Sequence, residues 1–371
     1  MKLDSKNSMR IFFTNAFFSL DRYEGARIHI EQLTKNLKDL GHEVWVPPTS
    51  PLSYGKKLSQ NRLKRLMQIM RTDVFYMRIE GKVPKFYRYM KLPWRLLFNK
   101  PLVWEINAAP DLQFFGSAPA SNNDIKATDG ELQQWVRRVN VAICNTDGLA
   151  QYARDLGIKN SKRIELGSDS DLFSPQAKRV NGLVLPDKKL NVLWCGNSSI
   201  GWHDFDTILK AATKLRHRPS IRFYIIGSLP SMYNLPNNIT VMENIPYKNM
   251  PSYMSAMDVG LAIYKDGRWS RYGVFSSPLK LFDYCASGLF VVASPIEQVR
   301  RCIVDKKNGF VIPFGDHEAL AKCLVYIMKN KSKLEKIRHR ARAIIVEYYN
   351  WQRVARETVE TISTYCRYCD S

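Results

Sequence analysis

The chain has 371 residues, 45% hydrophobic and 24% charged, which is the balance of a globular protein long enough for two cores. No apolar run approaches the roughly 18 residues of a membrane helix, and seven scattered cysteines, an odd number, read as reduced cytoplasmic thiols rather than a disulfide framework. A net charge of +22 calls for an acidic partner: anionic lipid, nucleic acid or a phosphorylated substrate.

The apolar start, Ile11–Leu20, is interrupted by Thr14, Asn15 and Ser19 and lacks a small-x-small cleavage site, so it reads as a first strand and not a signal peptide. Arg10–Thr14 is that strand and Asp21–Gly25 a turn. Ala26–Leu40 places Ile28, Ile30, Leu33, Leu37 and Leu40 at mostly helical spacing, Gly41 ends the helix, and Glu43–Val46 is the next strand. A strand, helix and strand in this order make a βαβ unit, hence a parallel sheet. Gly25 suits either close approach of a phosphate or an ordinary turn.

Residues 55–100 hold thirteen Lys and Arg against Asp73 and Glu80, a net +11 and half the charge of the chain. In Lys56–Arg71, residues Leu63, Leu66, Met67 and Met70 share one helical face beside Lys64, Arg65 and Arg71. The later part, KFYRYMKLPWRLLFNK, interleaves Phe86, Tyr87, Tyr89, Trp94 and Phe98 with basic residues. Nucleic acid would need cations spaced along a groove with aromatics free to stack. Leu and Met on one face suit insertion at an anionic bilayer surface instead. The plain alternative is core on one side and a solvated face on the other.

Asp73–Arg78 reads as a strand, and Pro101–Ile106 as a buried strand with the loop Asn107–Asp111 at its C-terminal end, where parallel sheets bind ligands. Ser121–Gly130 reads as a polar loop, Glu131–Val139 as a helix, Val141–Asn145 as a strand and Asp147–Leu156 as a helix. Ser168–Lys189, polar and with Pro175 and Pro186, reads as an interdomain linker. Strand and helix then alternate again: Asn191–Cys195, Phe205–Leu215, Ile221–Ile226, Val241–Ile245, Met250–Met257, Val259–Ile263. After Gly309–Ile312 and the helix Asp316–Met328, the remainder to Arg367 reads as helical. Cys366 and Cys369 form a single C-x-x-C with no second pair, so no metal site is expected.

The stretch SSPLKLFDYCASGLFVVAS, Ser276–Ser294, reads as loop, helix, turn and strand. Ser277 is a good N-cap, Pro278 suits the first helical position, and Gly288 closes the helix. A helix that starts abruptly presents free N–H groups to an anion. Lys280 adds a cation, and Asp283, three residues on, can accept two hydrogen bonds from a ribose diol. This is an arrangement for a nucleoside diphosphate; the plain alternative is a solvated lysine and a surface acid.

Six pieces in order resemble the GT-B glycosyltransferases, in particular the large, mostly retaining bacterial group known as glycosyl transferases group 1 (family 4-like). They are EGARIHIEQLTKNLKDLGHEVWV, RIELGSDSDLFSP, NVLWCG, SPLKLFDYCASGLFVVAS, NGFVIPFGDHEALA and YNWQRVA. The resemblance covers nearly the whole chain. It implies an α/β protein of two Rossmann-like domains facing a cleft. Residues 1–177 would bind the acceptor, 178–349 the nucleotide sugar, and 350–371 would form a helix returning to the N-terminal domain. It implies no cofactor and no metal, the nucleotide sugar being a substrate, because the helix start and basic side chains take the diphosphate charge.

The implied donor-binding residues are Gly25, Asn107, Gly196, Asn197, Arg268, Arg271, Ser277, Lys280, Leu281 and Asp283. This chain departs from the family in three places. Phe275 stands where the first of two acids is usual, GNSSIGWHDF offers Asn197 and His203 where a basic pair is usual, and Asn107 replaces a histidine. Arg268 or Arg271 would compensate for the missing pair, and Glu105 and Asp111 are the candidates for a general base. The implied activity is transfer of a sugar to a lipid-linked or cell-envelope glycan acceptor by a cytoplasmic enzyme, peripheral on the inner membrane face. The alternatives are the same chemistry on nucleic acid or protein, and a non-catalytic nucleotide-sugar-binding subunit.

Overall fold

Buried β-branched and aromatic runs alternate with amphipathic helices along the chain, and they assemble into two parallel sheets, each flanked by helices. The structure is a computed structural model, which describes residues 8–14, 25–80, 100–111, 121–178, 189–229, 233–242, 245–266, 270–274 and 278–366. The aromatic part of the basic stretch, at 85–99, lies outside the described residues, as do Phe275 and Cys369.

The first half contains β1 (Arg10–Phe13), α1 (Gly25–Asp39), β2 (Glu43–Val46), β3 (Lys56–Lys57), α2 (Arg62–Met70), β4 (Val74–Glu80), β5 (Leu102–Ala108), α3 (Asn122–Val136), β6 (Val141–Cys144), α4 (Asp147–Asp155) and β7 (Ser161–Arg163). Its strand order is β3-β2-β1-β4-β5-β6-β7. The second half contains β8 (Leu190–Asn197), α5 (Phe205–Lys214), β9 (Ile221–Ser228), β10 (Ile239–Met242), α6 (Met250–Met254), β11 (Val259–Ala262), α7 (Leu279–Ala286), β12 (Phe290–Ala293), α8 (Glu297–Cys302), β13 (Phe310–Val311), α9 (His317–Asn330) and α10 (Glu335–Tyr348). Its order is β10-β9-β8-β11-β12-β13. In each sheet the order reverses once, between β1 and β4 and between β8 and β11. Open α/β sheets bind ligands in the crevice at such points.

The last helix, α11 (Trp351–Tyr365), packs on α1 and β6 of the first half. The two connections cross side by side: Ser168 N–H donates to the Tyr349 carbonyl at 2.9 Å, and Trp351 N–H donates back to the Ser168 carbonyl at 3.3 Å. One buried cluster joins Ile30, Leu33 and Leu37 of α1, Trp351 and Val354 of α11, and Phe282 and Cys285 of α7. Apolar burial on both sides of the crossing thus ties the halves together.

Three expectations need correction. Ser121–Gly130 is not a loop, because it forms the first turns of α3. The Ser121 hydroxyl accepts from Asp124 N–H at 3.1 Å, and the Asp124 carboxylate accepts from Ser121 N–H at 3.2 Å, a reciprocal cap. Only Leu132 and Val136 of this helix are buried, so it has no apolar stripe to read. The helical tail is two helices, broken at Tyr349–Asn350, where the Asn350 side chain caps α11 by accepting from Arg353 N–H at 2.8 Å. Helix α7 starts at Leu279, so Pro278 takes the capping position rather than the first helical one.

Candidate active site

The second half builds its crevice from glycines and one helix. Gly260 in β11 leaves room for α7: a Cβ there would lie 2.3 Å from the Tyr284 ring. Tyr284 reaches the end of β8, where its hydroxyl accepts from Cys195 N–H at 2.8 Å. The start of α7 is thereby fixed at the gap between β8 and β11. Gly196, near the end of β8 with φ of 155°, lies beside it, and a Cβ on it would meet Lys280 Nζ at 2.9 Å.

Lys280 points its amine into this gap. Nζ lies 2.9 Å from His203 Nε2, 4.8 Å from the Trp194 ring centroid and 5.9 Å from that of Tyr264. Among the described residues it has no carboxylate partner. Burial without an acid brings its pKa down from 10.5 to about 7. His203 is 7% exposed and bonds through Nδ1 to the Asn197 carbonyl at 2.7 Å. Burial, followed by the Lys280 charge, pushes this imidazole well below 6.5. Trp194, His203 and Tyr264 were missed as a set, although Trp194 and His203 flank Gly196 in the sequence.

The other expected donor residues fall in different places. Asn197 contributes its carbonyl to His203 and its side-chain oxygen to Ser199 N–H at 2.9 Å. Leu281 is a core residue, fully buried, and its N–H already donates to the Pro278 carbonyl at 2.8 Å. Its expected place at the donor is corrected on both counts. Asp283 is 5% exposed, and its Oδ1 accepts from the Ser168 hydroxyl at 2.6 Å. Burial pushes its carboxyl up to about 8. The residue read as a ribose contact is thus also a tie between α7 and the interdomain crossing. Arg268 and Ser277 lie outside the described residues.

The first half faces this crevice with the start of α1. Gly25 opens the helix, and a Cβ on it would stand 3.5 Å from Leu279 at the start of α7, so two helix N-termini converge. Arg78 braces the first turn by donating to the Ala26 carbonyl at 3.0 Å. Beside it, Glu105 corrects the expectation of a general base. It is 3% exposed and lies 2.8 Å from His29 Nε2, with Asn107 Nδ2 donating to it at 3.2 Å. Burial alone would raise this carboxyl, but the charge and hydrogen bond of His29, with Arg78 and Asn107, bring it down to about 2. A carboxylate held so low is a poor proton acceptor. Asn107, still within β5, is directed to Glu105.

Asp111 and Arg271 are brought together across the cleft. Asp111 accepts from the Ser270 hydroxyl at 2.7 Å and from Arg271 N–H at 2.9 Å. The Arg271 guanidinium lies 3.8 Å from Asp111 and 3.4 Å from Asp129. Tyr272 donates to Asp155 at 2.8 Å and packs on Tyr152 with centroids 5.2 Å apart. Segment 270–272 of the second half is therefore latched to acids of the first half. Both oxygens of Asp111 are engaged, so it serves the latch in place of the expected base, and Arg271 faces acids in place of a phosphate.

Residues 189–330 match the family model described as glycosyl transferases group 1. The chain is 26% identical over 201 residues to a protein of Bacillus subtilis (strain 168) named for teichuronic acid biosynthesis, the glycosyltransferase TuaH, covering 51% of this chain and 48% of that protein. It is 36% identical over 87 residues to the phosphatidyl-myo-inositol mannosyltransferase of Mycobacterium leprae (strain TN), 23% of each. The matches thus span about half or less of these relatives. In overall structure it is similar to Anabaena Alr3699/HepE in complex with UDP and glucose, with a TM-score of 0.66, 14% identity, and coverage of 96% of this chain and 100% of that one.

Proposed function

We propose that this chain, a GT-B protein belonging to the group 1 glycosyltransferases, moves a sugar from a nucleotide-sugar donor to a lipid-linked or cell-envelope glycan. The observation that carries the reading is Lys280. A lysine enclosed by rings, without a carboxylate among the described residues, at the switch point of a parallel sheet and at a helix start, suits a diphosphate. Glycosyl transfer breaks the bond from sugar to diphosphate, and negative charge grows on the leaving group. Lys280 and the first N–H groups of α7 face that charge, with the start of α1 on the opposite wall.

The test is calorimetric titration with UDP, GDP and ADP, followed by hydrolysis of the matching sugar nucleotides. Lys280→Ala removes a charge-assisted contact worth roughly 1.5–3 kcal/mol, so the tightest diphosphate should bind about ten- to hundredfold more weakly, with its nucleoside unaffected. Equal losses for both would refute the assignment. Nucleotide binding without hydrolysis or transfer would favour the non-catalytic subunit.

The acceptor reading draws on α2. None of its residues is buried, and Leu63, Met70, Met67 and Leu66 are 67%, 56%, 48% and 42% exposed. Asn61 caps the helix and Ile69 packs on the acceptor-half core, so the apolar face is held outward. Arg62, Lys64, Arg65 and Arg71 accompany it. At about 1 kcal/mol per basic residue near an anionic leaflet, these four supply about 4 kcal/mol, beside the insertion of Leu and Met. Among the described residues no helix is long and apolar enough to cross a membrane. The protein should sediment with anionic liposomes, not neutral ones, and high salt should release it. Replacing Lys57, Lys64 and Arg65 with Glu should abolish sedimentation while sparing donor hydrolysis. Salt-sensitive binding to RNA or DNA without liposome binding would move the basic stretch to a nucleic-acid partner.

A further inference from the structure

The two ring nitrogens of His203 have different partners. Nδ1 lies 2.7 Å from the Asn197 carbonyl and Nε2 lies 2.9 Å from Lys280 Nζ. A carbonyl oxygen only accepts, so Nδ1 carries the hydrogen and Nε2 is left as an acceptor. The ring is fixed in that pose: Trp194 meets it edge-on with centroids 5.5 Å apart, and its backbone bridges to Tyr264. An N–H of Lys280 therefore donates to Nε2, a neutral acceptor.

Among the described residues, the other groups facing Lys280 offer no countercharge. From β8, Cys195 carries a thiol that burial pushes up to about 12. From the end of β11, Tyr264 presents its ring face. On the helix of Lys280 itself, Asp283 bonds to Ser168 and holds its proton up to about 8. Asp204, next to His203 in sequence, is turned to Thr207, accepting from its N–H at 3.2 Å and its hydroxyl at 2.6 Å. Among the described residues an ammonium here thus gives up water for rings and neutral acceptors alone, and that burial favours the amine.

Resting on the reading of Lys280 as the diphosphate group, we propose that His203 is a positioning residue: its Nδ1–H tautomer, set by the Asn197 carbonyl, turns Nε2 to an N–H of Lys280 and aims Nζ into the gap, while enclosure by rings away from water keeps Lys280 an amine until the donor arrives, and diphosphate binding then draws one proton from solvent onto Nζ. The proton adds to the lone pair of the amine, no bond to carbon changes, and the ammonium so formed faces the diphosphate. Donor capture is thereby linked to pH. Above the free-enzyme pKa of about 7, each pH unit should cost close to tenfold in affinity until the bound-state pKa is reached.

The experiment titrates UDP, or whichever of UDP, GDP and ADP binds tightest, at pH 8.5 in two buffers of different ionisation enthalpy. At that pH the diphosphate itself is fully ionised. The expected result is uptake of close to one proton per nucleotide, and an affinity that falls about eightfold between pH 7.5 and 8.5, while the nucleoside shows neither effect. His203→Gln, which keeps an acceptor toward Lys280 and a donor toward Asn197, should retain both. His203→Leu should bind the diphosphate at least tenfold more weakly, with nucleoside affinity unchanged. Lys280→Arg, charged throughout, should bind with an affinity flat across the range. Tight binding by the wild type with no proton uptake and a flat pH profile would overturn the proposal and leave the donor reading standing. A folded protein that binds none of the three nucleotides would overturn the donor reading itself.

Discussion

Replacing His29 by Ala should destabilise the protein far more than replacing it together with Glu105. The pair is buried, with side chains 4% exposed on both partners and N to O at 2.8 Å. Removing His29 leaves a carboxylate in the core without its ion-pair partner, answered by Asn107, Tyr76 and the more distant Arg78, which costs about 3–5 kcal/mol. The displacement of Glu105 from 4.5 to about 2 gives a second measure, about 3 kcal/mol. Its sign is that of a depressed acid. The stability is present above the ordinary value near 4.5 and lost as pH falls from there toward 2. Urea unfolding at pH 7 should place His29→Ala several kcal/mol below wild type. The double variant His29→Ala/Glu105→Gln should recover much of that loss, because the stranded charge is gone. At pH 3 the gap between wild type and His29→Ala should narrow. An additive double variant, or a single variant within 0.5 kcal/mol of wild type at pH 7 (the ordinary reach of a surface substitution, roughly), would refute the reasoning and reopen Glu105 as a functional acid.

Asp283→Asn should be tolerated in the fold and flatten its pH dependence: a carboxyl raised to about 8 contributes full stability below 3.8 and loses it as pH rises toward 8. If Asp283 also takes the ribose, this variant should weaken a ribonucleotide more than its dideoxy analogue in the same titration, and equal weakening would remove that role. Asp111→Ala deletes the acceptor of Ser270 and Arg271, so small-angle scattering should show a more open molecule and transfer should fall while nucleoside diphosphate binding stays nearly intact. Gly260→Val should drive α7 off β11, since even a Cβ meets the Tyr284 ring at 2.3 Å, and the variant should lose nucleotide binding or fail to fold.

The order of strands and helices was legible in the residues because each element carries its own periodicity. Arg10–Phe13, Ala26–Asp39, Glu43–Val46 and Phe205–Lys214 fall where apolar spacing places them. The one-sided Leu and Met of α2 and Lys280 at a helix start could also be read locally, since each depends on residues within a turn or two. Helix α3 was hidden because most of its surface is polar, although the Ser121–Asp124 cap was present in the sequence. What only the tertiary structure decided are pairings across long separations. Glu105 meets His29 of α1, Asp283 meets Ser168 at the crossing, Asp111 meets Arg271 across the cleft, and Lys280 meets His203 with Trp194. Whether an acid is a base or an ion-pair partner, and whether a lysine is charged, depends on burial and on neighbours within about 4–6 Å. Those neighbours are set by how the sheets and the returning helix pack, and spacing along the chain does not encode that.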